Sequence, residues 1–324
     1  MSAGFCSVCG AVLRDGVCPN GHPQRAQRRQ RSRRRRRGLW VLLLVFLLVS
    51  GGAYAGLVWY PRRAAADLME RPSEALAAAL VDYRTTVSAF PPGATDPQAL
   101  VDGCTAVLAT AGATRDRLAA ASIDLEARGA PDIPVVSSRP PLQQARDLRE
   151  LMLDFDTRAQ EVVGRLEAVC GYVGQAAAVL PQLDALSSTL GTPRDEAEVR
   201  AAVAAATPIA EQLLADLRAL APPEELGGLH SALQAIARRI RADLDEVDRT
   251  AQTGVTPVVR ALLAGIRAAF DTFRQTLGTA PQEAGAAGLT ADRDEVESLA
   301  QTIVAGLQTL RDVHGLAGVT VPEG

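Results

Sequence analysis

Lysine is absent from this chain: all 34 basic residues among its 324 are arginine. We read that absence as a bias of composition, not as chemistry. Histidine is nearly absent too. Only His230 and His314 follow the long apolar segment described below, too few for a histidine-rich metal site, and both read as structural. Aromatics make up 4% of the chain, and residues 61–324 hold six of them and no tryptophan. That is a poor supply for stacking sugars. No GxSxG, HExxH, Walker-type or dinucleotide glycine motif occurs, which removes the simplest readings as a serine hydrolase, zinc protease, nucleotidase or nicotinamide enzyme. What remains is rich in alanine and leucine, a composition that favours helices over sheets.

Charge divides the chain. Residues 1–60 carry ten arginines against one acid, Asp15, a net of +9; residues 61–324 carry 24 arginines against 36 acids, a net of −12. Segments so different belong in different environments. An acidic domain of this size argues against nucleic acid as a partner.

Between the two lies Leu39–Tyr60, a 22-residue stretch without a charge. As a helix it would be about 33 Å long, enough for a hydrocarbon core of ~30 Å. Trp40 at one end, with Trp59 and Tyr60 at the other, sit where aromatic belts meet the membrane interface. Nine arginines, Arg25, Arg28, Arg29, Arg31 and the run Arg33–Arg37, precede it, and only Arg62 and Arg63 follow closely. The positive-inside rule then sets the N-terminus in the cytoplasm and the C-terminal part outside. The arginine run also suits anionic lipid head groups. A cleaved signal peptide is the rival reading, since Leu39–Val49 is followed by Ala53-Tyr54-Ala55. Either reading exports the C-terminal domain.

Before this stretch, residues 5–22 read FCSVCGAVLRDGVCPNGH. Cys6-x2-Cys9-Gly10 is a knuckle that aims two thiolates at one point. Cys18-Pro19-Asn20-Gly21-His22 supplies a third thiolate and an imidazole, and Asp15-Gly16 between them signals a hairpin turn. Three sulfurs and one nitrogen complete the closed tetrahedral shell of a structural Zn²⁺ site, with no position open for catalytic water. The segment resembles the zinc-ribbon family, whose members in bacteria often stand at the N-terminus of membrane proteins. The resemblance covers residues 5–22 only. It implies Cys6, Cys9, Cys18 and His22 as ligands, and it departs from the family at the second knuckle, which has three intervening residues and ends in histidine.

The C-terminal part reads as helical throughout. The spacing predicts helices over 64–90, 97–128, 141–190, 193–220, 223–252, 257–277 and 291–315. Asp96-Pro97, Thr192-Pro193, Thr207-Pro208 and Thr256-Pro257 each pair an N-cap candidate with a proline suited to the first helical position. Gly191, Gly278 and Gly315 stand near expected C-terminal ends. The longest apolar stripe is Ala145, Leu148, Met152, Phe155, Ala159, Val162, Leu166, Val169, Val173, Ala176 and Leu180. Shorter ones run from Leu226 to Val247 and from Val296 to Val313. Their 3–4 spacing is that of packed helices. Residues 129–140 read as a proline-rich loop and 278–289 as a small-residue linker.

Cys104 and Cys170 are the two cysteines beyond the apolar stretch. Across an antiparallel hairpin turning near residue 137 they would face each other. A disulfide is therefore reachable, and the alternative is two buried thiols. The expected architecture is all-α, with a cytoplasmic zinc ribbon (1–24), an arginine-rich juxtamembrane segment (25–38), a transmembrane helix (39–60) and two extracytoplasmic helical bundles (61–190 and 191–324). The expected function is a non-enzymatic envelope protein that binds or scaffolds another envelope protein, with membrane lipids as its other contact and a homodimer as one state its anchor permits. A single-pass sensor is the first alternative and an extracytoplasmic enzyme the second.

Overall fold

The computed structural model describes residues 5–322 except 7, 16, 23–24, 92–95, 128–137 and 253–256, and for residues 25–38 the backbone alone. The fold is all-α, with no strand among the described residues. Its contacts divide the chain into two units, one ending at Arg63 and the other starting at Ala64.

In the first unit, residues 5–22 form two short turns joined by the isolated antiparallel bridges Phe5–Val12 and Arg14–Val17. Helix α1 (Arg25–Tyr54) follows. A π-helical turn (Ala55–Trp59) then leads into α2 (Tyr60–Ala89). The apolar part of α1 turns its side chains outward: Leu39 through Val49 are exposed, Leu42 by 71% and Phe46 by 70%. One helix is thus long and apolar enough to cross a membrane, and its apolar window is not buried by protein. Such exposure is what lipid-facing residues show and what a water-soluble surface avoids.

The second unit is a helical bundle. Helix α3 (Pro97–Ala127) buries Leu100, Cys104, Val107, Ala111, Thr114, Leu118, Ala121 and Leu125 on one stripe. It packs along α4 (Pro140–Ala177), whose own stripe from Leu142 to Ala176 is buried. Two cross-contacts give the register. Ser122 Oγ lies 3.0 Å from Asp156 Oδ2, and Arg149 Nε donates to the Leu125 carbonyl at 2.8 Å. These pairs are antiparallel, as the expected hairpin requires. Helices α5 (Leu180–Leu190), α6 (Glu196–Ala219), α7 (Gly227–Ala251) and α8 (Pro257–Gly278) pack in sequence, and α8 returns to α5. Short α9 (Ala280–Ala284) and a π-helical turn (Gly285–Leu289) lead into α10 (Thr290–Asp312), which packs on α4.

Proline explains the main departures from the sequence reading. The stripe predicted one helix over 141–190, but the chain breaks at Ala178 and Val179. Pro181 lies at the start of α5. Its ring would clash with the carbonyl four residues back, that of Ala177, where α4 ends. The N-cap candidate Thr207-Pro208 does not start a helix: α6 runs through Pro208, as the helix expected over 193–220 does. Val203, Ala206, Ala210 and Leu213 are buried on both sides of it, so packing outweighs an interior proline's penalty of roughly 3 kcal/mol. Thr192-Pro193 does not start a helix either. The cap of α6 is Asp195, whose carboxylate accepts the Glu198 N–H at 2.8 Å, while Glu198 accepts the Arg194 N–H at 2.7 Å. Asp96 does cap α3, accepting from the amides of Gln98 (3.2 Å) and Ala99 (3.4 Å). Thr256 lies outside the described residues, as does the proline-rich loop through 137.

The segment expected as a small-residue linker is instead compact helical turn, with Ala280, Ala284 and Leu289 buried and Gly288 at φ +99°. Past α10, Gly315 takes φ +70° and the chain reverses. Leu316 and Val319 are buried, and the Thr320 amide donates to Ser73 Oγ of α2 at 3.0 Å. Val313, placed on an apolar stripe by its spacing, is 69% exposed because α10 ends beside it.

Candidate metal centre

The N-terminal turns exist to bring four side chains together. The Gly10 amide donates to the Cys6 carbonyl at 2.9 Å and the Cys6 amide to the Ala11 carbonyl at 2.7 Å. Gly10 adopts φ +68°, left-handed backbone that a side chain resists. The second turn repeats the device: the Gly21 amide donates to the Cys18 carbonyl at 3.0 Å, with Gly21 at φ +74°. Arg14 and Val17 exchange backbone bonds across the hairpin at 3.2 and 2.9 Å, and Asp15 sits there at φ +50°. Gly16 lies outside the described residues.

The result is that ligand atoms of Cys6, Cys9, Cys18 and His22 all lie within 4.8 Å of one another. Cys9 Sγ is 3.4 Å from Cys18 Sγ, and Cys18 Sγ is 3.6 Å from His22 Nδ1. An ion bonded to sulfur at ~2.3 Å and to nitrogen at ~2.0 Å, the lengths Zn²⁺ takes, has tetrahedral edges of about 3.8 Å between sulfurs and about 3.5 Å from sulfur to nitrogen. The four residues fit such an ion. His22 presents Nδ1, which settles which ring nitrogen faces the sulfurs.

Electrostatics favour the thiolate form at one corner. The amides of Val8 and Cys9 point at Cys6 and pull its pKa down to about 6. Burial pushes the Cys18 thiol up, which leaves it needing a cation beside it. Asn20 Nδ2 lies 3.7 Å from Cys9 Sγ as a donor. The sequence reading missed Asn20 and the Val8 amide; an amide side chain inside a CPNGH turn was the only signal for the former.

The other residues singled out by sequence lie in the bundle. Cys104 and Cys170 are both buried and unbridged. They are nevertheless in contact across α3 and α4: the neighbouring Cys104 thiol, with burial, pushes the Cys170 pKa far up. His230 Nδ1 is 3.0 Å from the Tyr172 hydroxyl and its Nε2 is 2.8 Å from Gln234 Nε2, while burial lowers its pKa. His314 Nε2 reaches Gln144 Oε1 at 3.2 Å. Each histidine thus joins neighbouring helices or turns.

The acids on arginine-rich faces are largely paired. Arg165 holds Glu225 at 2.7 Å and Asp292, Arg241 holds Glu211 at 3.1 Å and Asp245, and Arg249 holds Glu246 at 2.7 Å. A groove of about 100 Å³ between α4 and α10 is lined by Arg158, Glu161, Arg165, Asp292 and Glu295. Arg158 pairs there with Glu295, and Arg165 with Asp292. No protein-family model, curated protein or solved structure matches the chain.

Proposed function

We propose that this chain is a single-pass membrane protein of the cell envelope, with a zinc ribbon in the cytoplasm and a helical binding or scaffolding domain outside. The observation that carries it is the outward-facing apolar helix Leu39–Tyr60 with nine arginines just before it and only Arg62 and Arg63 just after. Lipid removes the penalty of exposing those side chains, and the charge bias orients the helix.

The test is a tag at Met1 combined with protease added to intact cells. Digestion of residues 64–324 with survival of the tag is expected. Survival of residues 64–324 while the tag is cut away would overturn the reading.

Zn²⁺ is the ion we assign to Cys6, Cys9, Cys18 and His22. Three thiolates and one imidazole suit a borderline-soft cation, and four protein ligands close the shell. The ion would be structural: it would hold the two turns together and offer a docking knob to a cytoplasmic partner. On the same topology Cys104 and Cys170 lie in an oxidising compartment and form a disulfide between α3 and α4. The closed loop would stabilise the bundle by about 4 kcal/mol on the chain-entropy model. Mass and thiol labelling of the protein isolated from cells without reductant should find both sulfurs blocked.

We assign no reaction to the helical domain, because four of the five ionisable groups lining its α4–α10 groove, Arg158 with Glu295 and Arg165 with Asp292, are paired with each other. Its expected partner is another envelope protein, recovered by affinity purification from native membranes. Signalling is the second reading, favoured by one feature: the helix spanning Leu39–Ala89 continues from the apolar stretch into the bundle. A ligand-dependent change in crosslinking along Leu39–Tyr60 would support it.

A further inference from the structure

The α3–α4 interface holds a buried carboxyl. Asp156 lies on the buried stripe of α4 and is wholly inaccessible. Among the described residues its only hydrogen-bond partner is Ser122 Oγ of α3, at 3.0 Å from Oδ2, while Oδ1 is buried with no partner. Beside it, Phe155 packs edge-on against Tyr83 of α2 with ring centroids 6.0 Å apart, and the Tyr83 hydroxyl is also buried without a partner.

Counting hydrogens locates a proton. Ser122 Oγ is 3.2 Å from the Leu118 carbonyl as well as 3.0 Å from Asp156 Oδ2. A hydroxyl has one hydrogen, and a carbonyl can only accept. Both contacts are satisfied when Ser122 donates to Leu118 and Asp156 donates to Ser122, which requires the carboxylic acid. The remaining oxygen is then a neutral carbonyl, far cheaper to leave unpaired than half of a carboxylate.

Among the described residues no cation pairs with Asp156. Many arginines on the surrounding helices have other partners. On α3, Arg115 pairs with Glu167 and Arg117 with Asp82 of α2. On α2, Arg84 pairs with Glu297 of α10. On α4, Arg149 bonds the Leu125 carbonyl, and Arg158 pairs with Asp154 and with Glu295 of α10. On α8, Arg267 bonds the Gly191 carbonyl, Arg274 pairs with Asp184 and Asp271, and Arg260 is exposed. Glu283 of α9, Asp116 of α3 and Asp294 of α10 are exposed acids, and Asp292 of α10 is held by Arg165.

We propose that Asp156 is kept as a neutral acid that locks α3 to α4, and that its ionisation loosens this pair and makes the bundle pH-responsive. Burial alone drives the shift: it raises the Asp156 pKa to about 7 even when Ser122 turns its hydroxyl to the ionised form and opposes it. An unfolded aspartate titrates near 4. The folded state therefore holds a proton that the unfolded state has lost between those values. The contribution is fully present below about 4, is lost as pH rises toward about 7, and changes little above that.

The experiment uses the full chain in detergent micelles and compares wild type with Asp156→Asn, which keeps shape and can still donate to Ser122. The ratio of their folding constants cancels the other titrating groups. It should shift in favour of the variant by roughly tenfold per pH unit from about 5 to about 6.5 and level off above about 7.5. A ratio independent of pH, or one moving the other way, would overturn the proposal. Infrared spectroscopy of wild type labelled with ¹³C-aspartate covers the case of a variant that does not fold. A protonated-carboxyl stretch should be present at pH of about 5.5, where exposed aspartates are ionised, and be gone by about 8.5. Its absence at the lower pH refutes the assignment.

Discussion

The N-terminal turns and the helical bundle are held together by opposite means. In residues 5–22 the apolar side chains point outward: Phe5 is 65% exposed, Val8 67% and Val17 62%. The only buried side chains among those described there are Cys6 and Cys18, two of the proposed ligands. A segment this short has no core to bury, so on the proposed zinc reading an ion supplies its folding energy. The bundle shows the reverse. Apart from Asp156 its carboxylates and arginines lie toward the surface, many of them in arginine–acid pairs, and its interior is stripe upon stripe of leucine, valine, alanine and phenylalanine. One region should fail when a metal is taken away and the other when a methyl group is.

Chelation is the largest expected effect and the sharpest way to break this comparison. Removing the ion, or Cys9→Ser, should unfold the N-terminal turns, because structural zinc contributes apparent free energies of ~10–16 kcal/mol in modules of this kind. Amide exchange should rise in residues 5–22 and stay unchanged in 97–312, and metal analysis should find one zinc per chain before treatment. Equal loss in both regions would erase the distinction.

Next in size is Phe155→Ala. Its ring is fully buried against Tyr83, so a cost of ~3–5 kcal/mol is expected in denaturant unfolding of the bundle, with zinc content unaltered. Pro208→Ala runs in the stabilising direction. It restores a donor and removes a clash within α6, and should raise stability by up to ~3 kcal/mol if the surrounding packing holds. Smallest is Asp195→Ala, which removes the acceptor of the Glu198 amide and should cost about 1 kcal/mol.

The same contrast explains what could be read in advance. The cluster of Cys6, Cys9, Cys18 and His22 was legible because knuckle geometry is local: each pair lies within a few residues, and glycine marks where the backbone must turn. The long helices were legible because burial on one face of a helix repeats every three or four residues. Asp156 carries no distinguishing mark in the sequence although it falls one residue from Phe155 on the long stripe. Its neighbour Asp154, paired with Arg158 at 2.9 Å, looks the same in sequence; only the packing of α3 tells the solvated acid from the buried one. Thr192 and Asp195 both precede helix-forming residues, and which of them caps α6 depends on where α5 ends at Gly191.

The chain's order of residues by itself determined the class of fold, the long apolar helix with its charged flank, the cysteine–histidine set, and the start of α3 at Asp96-Pro97. These depend on interactions within a turn or two, or on periodicity along one helix. Tertiary structure alone decided that α10 packs on α4, that α8 returns to α5, and that the tail ties back to Ser73. A buried face records only that something covers it, not which face does. That choice is made by shape and volume across the whole bundle, which no local pattern encodes.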